Sequence, residues 1–285
     1  MSKYEKFKDA SMLRCPVCKF QLHLREKSLV CDNRHSFDIA KQGYVNLLTG
    51  GKPINEYTKV SFQERQQILE KGMYAHILEA ICAFMEEALC GKKGLTLLDA
   101  GCGEGYYCRE ISRRLGSKLG LQIYGTDISR DSLQLAAKSE PEHRIKWFVS
   151  DISRLPVKNR KTDIILDIFT SANYQEFRRI LPEDGYIIKV IPGEDHVREL
   201  REAAKDQLFH KEYTERKGAE HFAENFEVLV NRTVSQTFEV TPEERDIFIN
   251  MTPLLFNVDK EKIDWEPVKT ITVSGQLLIG RKKQG

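Results

Sequence analysis

The 285-residue chain has no apolar run of about eighteen residues, the length that a membrane-crossing helix needs, so no membrane partner is expected. Its first residues, Met1 to Lys6, contain nothing like the apolar stretch of a signal peptide, and a cytoplasmic location is the expectation. There is no internal repeat and no low-complexity run. The length fits one large α/β domain with a small appendage. Net charge is also scarce, at +2, so the chain as a whole does not read as a nucleic-acid binder. The charge is uneven, however. Residues 1–60 hold eleven basic against six acidic side chains, a surplus of five, and the remainder sums to minus three. A basic N-terminal piece on a mildly acidic body suggests contact with a polyanion, although a solvated basic tail fits charge alone almost as well.

Seven cysteines, an odd count with no export signal, argue for a reducing compartment and for thiol or metal use. Four residues near the N-terminus form a pattern: Cys15-Pro16-Val17-Cys18, then Cys31-Asp32-Asn33-Arg34-His35. Two short chelating loops a dozen residues apart can fold as a hairpin and present three thiolates and an imidazole tetrahedrally, a set suited to zinc. Four protein ligands leave no open position, so the metal would be structural and would supply folding energy to a piece too small to build its own core. The Phe20–Leu24 stretch alternates like a strand, which argues against a redox Cys-x-x-Cys at a helix start and places His23 on a surface. Cys82 and Cys90 read as core or interface thiols. In residues 36–48 the aromatics, Lys41 and amides could stack on and bind RNA, or could pack the small lobe against the body.

The chain contains no G-x-G-x-x-G of a dinucleotide site. It has instead Asp99-Ala100-Gly101-Cys102-Gly103-Glu104-Gly105, between a short apolar strand (96–100) and a helical pattern from Glu104 to about Leu115. Glycine lets backbone lie against a ligand at the strand's carboxyl end, and the helix N-terminus suits a carboxylate. Further strands are expected at 122–128, 145–149, 163–169, 186–191, 228–240 and 268–280. Helices are expected at 58–71, 75–90, 129–138, 175–181, 197–208 and 242–248, with a linker at 49–56. The fold class is therefore α/β: a Rossmann-like, doubly wound sheet with an antiparallel last strand, behind a small zinc ribbon. Asp127, ending the second strand of the α/β rhythm, can take both ribose hydroxyls of an adenosyl cofactor. Asp151, with Ile152 beside it, can accept from the adenine amino group; a turn-capping acid is the alternative for Asp151.

The Asp-x-Gly-x-Gly-x-Gly pattern resembles motif I of the class I methyltransferases, which bind S-adenosylmethionine (SAM). In that resemblance Asp99 lies near the sulfonium and amino end, and Gly101 and Gly103 lie beside the amino-acid moiety. Taken with Cys-Pro-x-Cys, Cys-x3-His-Ser-Phe-Asp, Lys41-Gln-Gly-Tyr-Val-Asn-Leu-Leu48, Pro192-Gly193…His196…Glu199-Leu200 and Met251-Thr252-Pro253, the chain resembles the zinc-containing 23S rRNA guanine-N1 methyltransferases, which include macrolide-resistance enzymes. The resemblance covers nearly the whole chain. It implies zinc on Cys15, Cys18, Cys31 and His35, cofactor contacts from Tyr74, Gly103, Glu104 and His196, an rRNA hairpin as substrate, and a homodimer whose zinc lobes flank an RNA cleft. It divides the chain into a zinc-binding RNA-recognition lobe (1–50), a helical linker that adds to the cofactor site (51–90) and a methyltransferase domain (91–285). Two positions depart from the family. Met73 stands where it often has His, and Thr170-Ser171 stands where Phe is usually followed by Ser or Ala and then Pro. Ala172-Asn173-Tyr174 resembles the branch whose target is the macrolide-proximal guanine. The rival classes are a small-molecule methyltransferase and a non-catalytic zinc-ribbon RNA binder. No residue stands out as the general base.

Overall fold

The computed structural model describes residues 2–50, 58–208 and 215–283. The expected linker at 49–56 falls mostly on residues 51–57, outside the described residues. Among the described residues no helix is long and apolar enough to cross a membrane.

The N-terminal lobe is a three-stranded antiparallel sheet of β1 (Leu22–Arg25), β2 (Ser28–Cys31) and β3 (Ser36–Asp38). His23 is exposed on it, as the alternation predicts. The next strand, β4 (Tyr44–Asn46), leaves this lobe and pairs in parallel with a strand a hundred residues onward. Two helices follow, α1 (Lys59–Glu70) and α2 (Ala75–Ala88). The alternating body then runs β5 (Thr96–Ala100), α3 (Tyr106–Leu119), β6 (Gln122–Asp127), α4 (Arg130–Lys138), β7 (Lys146–Val149), β8 (Ile164–Ile168), α5 (Tyr174–Ile180), β9 (Tyr186–Pro192), α6 (Arg198–Ala203), α7 (Glu215–Asn225), β10 (Glu227–Glu239), α8 (Pro242–Met251) and β11 (Thr270–Arg281).

The main sheet has the order β10-β11-β9-β8-β5-β6-β7-β4. Strands β4 to β9 run parallel, and β11 is antiparallel to both β9 and β10. The last strand thus inserts between β9 and β10. The central strands are buried on both faces, as adjacent residues show: Leu97 and Trp147 join the core beneath α2, α3 and α4, whereas Leu98 and Phe148 join a core shared with the N-terminal lobe, α5 and α7. Phe7, Leu13, Leu22 and Leu29 complete that second core, so the zinc lobe packs against one face of the sheet.

Local chemistry sets the element ends. Thr58, Ser129 and Asn173 accept from backbone N–H groups three residues on and start α1, α4 and α5. Thr241 and Glu244 form a reciprocal capping box behind Pro242. The helix expected over 197–208 is only six residues long, and Val197 enters it in the left-handed region. Tyr44, offered by the sequence as an RNA-stacking aromatic, is buried, and its hydroxyl accepts from Gln134, so this residue packs the lobe onto the body. Cys82 is buried and Cys90 exposed.

Candidate functional site

The carboxyl ends of β5, β6, β7, β8 and β9 open into one cavity of about 700 Å³, roofed by α1 and the end of α8. The glycine turn forms its floor. Gly101 N–H and Cys102 N–H both donate to the Thr126 carbonyl, which ties the turn to β6. Gly101 has φ +78, and a Cβ there would lie 2.5 Å from Thr170 Oγ1, so only glycine lets the loop after β8 close on the turn. Gly103 also has positive φ, but a Cβ on it would meet nothing within 4 Å. The space above it belongs to the cavity.

Sheet order divides the walls. Asp127, at the end of β6, and Asp151 and Ile152, after β7, line one half. Asp127 accepts from Gly103 N–H and Ser129 N–H, both at 2.9 Å, which fixes its carboxylate while leaving further lone pairs. Burial raises its pKa above the usual carboxylate value, against these two bonds. Asp151 accepts from Ser153 N–H at 2.7 Å, so it does cap a turn, and it lines the cavity as well. These carboxylates suit the hydroxyl and amino donors of an adenosyl group.

The other half is aromatic and cationic. Phe169, after β8, holds a φ of +53, a conformation that a bulky side chain adopts only when its surroundings impose it. Its ring stacks on His196 at 5.3 Å and meets Tyr74 edge-on at 5.8 Å. His196 Nδ1 accepts from Ser274 N–H, which leaves the ring proton on Nε2. Burial, followed by the charges of Arg201 and Arg65, pushes its pKa down to about 4, so the ring is neutral at physiological pH. Tyr74 is buried at the start of α2, where burial pushes its hydroxyl up to about 12. Arg201 donates to the carbonyls of His196 and Glu194. Glu199, nearby in the sequence pattern, accepts from Thr272 N–H and Oγ1, so it staples α6 to β11. At the position that lacks the family's proline, tertiary contacts hold the loop instead. Thr170 seats against Gly101, and its carbonyl accepts from Lys189 at 3.1 Å.

Of the nine predicted cofactor residues, Tyr74, Gly101, Gly103, Asp127, Asp151, Ile152 and His196 line the cavity. Asp99 and Glu104 do not. Asp99 is buried beneath the turn, where it accepts from the Cys108 thiol, and burial pushes its pKa up to about 7. Glu104 turns back into the protein. It accepts from Tyr106 N–H at the start of α3 and pairs with Arg109 at 2.8 Å. Sequence reasoning passed over Arg65, Phe62 and Arg201, which all line the cavity, as does Thr170 of the loop it had singled out. Arg65 sits in a charge-rich helix, where nothing local marks one arginine from another.

The second site is the metal cluster. The donor atoms of Cys15, Cys18, Cys31 and His35 all lie within 4.8 Å of one another. Cys18 Sγ and Cys31 Sγ are 3.5 Å apart, and His35 Nδ1 is 3.4 Å from Cys31 Sγ and 3.7 Å from Cys15 Sγ. A tetrahedron built on a Zn–S bond of about 2.3 Å has edges of about 3.8 Å, slightly shorter toward the nitrogen ligand, so the donors fit zinc. Lys19 and Arg34 have φ of 68 and 63, left-handed turns that close the two chelating loops. The closed set is that of a structural ion.

Residues 13–53 match the family described as RlmA, N-terminal, and residues 91–243 match the methyltransferase domain family. A protein of Bacillus subtilis (strain 168), provisionally named 23S rRNA (guanine-N(1)-)-methyltransferase YxjB, is 32% identical over 283 residues, 96% of this chain and 98% of its own. The 23S rRNA (guanine(748)-N(1))-methyltransferase of Streptomyces fradiae is 28% identical over 252 residues, 88% of each chain. A chain from the complex of the Haloferax volcanii Trm112 methyltransferase activator with a provisionally assigned methyltransferase has a TM-score of 0.51 at 15% identity. That match covers 82% of this chain and 99% of the other, a likeness of fold alone.

Proposed function

The chain belongs to the 23S rRNA guanine-N1 methyltransferase family, and from that premise we propose that it methylates N1 of one guanine in a hairpin loop of large-subunit rRNA. The observation that carries this reading is the pairing, on one chain, of a glycine-floored cavity with a three-thiolate, one-imidazole cluster of the RlmA type. Bound SAM supplies a methyl group already activated on a sulfonium. The protein's task is orientation, for which near-attack positioning is worth roughly 7–11 kcal/mol of barrier.

Asp127 takes the ribose hydroxyls, and Asp151 and Ile152 meet the adenine. The guanine enters over β8 and β9, against Phe169, Tyr74 and His196. Guanine N1 sits on the Watson–Crick edge, so the base must be splayed out of any pair before it reaches the methyl. N1 must also lose its proton. The one lone-pair nitrogen of His196, Nδ1, is occupied by Ser274 N–H, and Nε2 carries the ring proton, so the ring offers guanine N1 no acceptor and is not the base. Among the described lining residues both carboxylates belong to the adenosyl half, which leaves water as the proton acceptor. The His196 N–H and Arg201 would then stabilise the negative charge that moves onto O6.

We further read residues 1–50 as the RNA-recognition lobe, 51–90 as a helical cover that adds to the cofactor site and 91–285 as the methyltransferase domain, in a cytoplasmic homodimer. The test is methyl transfer from labelled SAM to unmodified large-subunit rRNA, with the product nucleoside identified by mass spectrometry. The expected product is N1-methylguanosine at one hairpin position, with free guanosine left unmodified. Methylation of free guanosine alone would favour a small-molecule enzyme. Mapping the position tests whether the target matches the guanine in the Streptomyces fradiae enzyme's name.

A further inference from the structure

We propose that Arg65, on the helix that roofs the cavity, binds the carboxylate of the cofactor's amino-acid moiety. Three observations converge on it. The first is where a carboxylate cannot go. In a strand–glycine turn–helix unit, the N–H groups that open the helix are the obvious anion site. Here the first of those groups is engaged from within, because Glu104 places its own carboxylate on Tyr106 N–H at 3.1 Å, and that carboxylate repels a second anion at the helix start. Arg109 neutralises Glu104 at 2.8 Å and also reaches the Glu104 carbonyl and Glu70, so its guanidinium is committed. A ligand carboxylate over Gly103 therefore needs a cation from elsewhere.

The second observation is that few cations remain. Among the described residues, the arginines lining the cavity are Arg65 and Arg201. Arg201 already donates to two backbone carbonyls and lies in the half bounded by β9 and α6. Arg65 has neither an ion pair nor a hydrogen bond among the described residues, and its five N–H donors stand ready for a planar, two-oxygen acceptor.

The third observation is position. The charge of Arg65 acts on Asp127 and Glu104 on one side and on Tyr74 and His196 on the other. It lines the same cavity as Gly103 and Asp127 and as Tyr74 and His196, so it borders both the adenosyl half and the acceptor half. An amino-acid moiety attached to an adenosyl group seated on Asp127 has to pass through that region. The inference rests on the SAM reading of the cavity and not on the rRNA reading, and its test needs no RNA.

The experiment is a cycle of ligand and residue deletions, read by isothermal titration calorimetry. S-adenosylhomocysteine and its decarboxylated analogue are titrated into the wild type and into Arg65→Met, with Arg65→Lys as a third protein. The wild type should bind the carboxylate-bearing ligand roughly 10–100-fold more tightly than the analogue, the range of a charge-assisted bidentate hydrogen bond. Arg65→Met should bind the two about equally, with the analogue's affinity unchanged from wild type. Arg65→Lys should fall between, because a point charge loses the fork geometry. Thermal unfolding without ligand should be little altered, since the guanidinium makes no bond among the described residues. Full discrimination retained in Arg65→Met would overturn the proposal. So would an equal loss for both ligands, which would mark Arg65 as a structural support of the roof.

Discussion

Gly101 and His196 show how single side chains can be confined from several directions. A methyl group at Gly101 would have to displace Thr170, and with it the loop that ends β8, while holding a positive φ. Gly101→Ala should therefore weaken cofactor binding by roughly 5–150-fold, for a clash plus strain on the order of 1–3 kcal/mol. Calorimetric titration checks this, and a Gly101→Ala, Thr170→Ala double variant, which removes the clashing Oγ1 and Cγ2, should recover part of the loss. His196 makes a pH prediction. Its folded pKa lies near 4, below the ordinary value of about 6.5, so the unfolded chain takes up the proton first. Its contribution to stability is thus complete above the ordinary value and is lost as pH falls through the window down to about 4. His196→Gln should be destabilised relative to wild type at neutral pH, and that gap should narrow as the medium is acidified. Urea unfolding at several pH values measures it. A gap independent of pH would mean that the ring is not held neutral by burial.

At the scale of elements, β8 and β9 are coupled by an ion pair inside the sheet. Asp167 and Lys189 lie in register, both buried, with Lys189 Nζ 2.8 Å from Asp167 Oδ2. Burial pushes the carboxyl up to about 6, while Lys189 acts against that rise. Lys189→Met would leave Asp167 without its ion-pair partner and should cost about 3–5 kcal/mol in denaturant unfolding. Adding Asp167→Leu should restore most of it, because two apolar residues need no partner. Lys189 also bonds the Thr170 carbonyl, so the single variant should loosen the loop that carries Phe169. None of this pairing was legible in the sequence, because register between strands more than twenty residues apart has no local signature. What was legible is local. The spacing of Cys15, Cys18, Cys31 and His35 and the Asp99–Gly105 turn each fix a short segment's geometry by themselves. The insertion of β11 between β9 and β10, the helix α7, and the escape of β4 from the zinc lobe to the edge of the main sheet depend on distant partners. The same limit hid Arg65. Asp99 and Glu104 show the reverse limit: spacing marks them as a motif's acids, but not that the Cys108 thiol and Arg109 hold their carboxylates inside the protein.

At the scale of the whole molecule, the two sites stand on different parts of the fold. The cavity opens at the carboxyl ends of the parallel strands, while the metal cluster stands on a lobe whose Phe7, Leu13, Leu22 and Leu29 pack against one face of the sheet. The chelating loops hold Lys19 and Arg34 in left-handed turns that zinc ligation helps to offset. Removing the ion should therefore unfold residues 14–35 first and open them to proteolysis at Arg25 and Lys27, in the β1–β2 hairpin. Leu22 and Leu29 would leave the shared core, so the melting temperature of the remainder should fall. The glycine turn, Asp127 and the roof helix do not touch that lobe's metal ligands, and β4 remains hydrogen-bonded to β7. SAM affinity should thus change by less than about threefold, under 1 kcal/mol, while methyl transfer to rRNA is lost. Chelation followed in parallel by limited proteolysis, SAM titration and rRNA methylation separates the outcomes. Loss of SAM binding at the same chelator concentration as the appearance of the hairpin cleavage would mean that the lobe and the cavity fold as one cooperative unit, through β4 and the shared core face, and that zinc governs the cofactor site as well as the RNA.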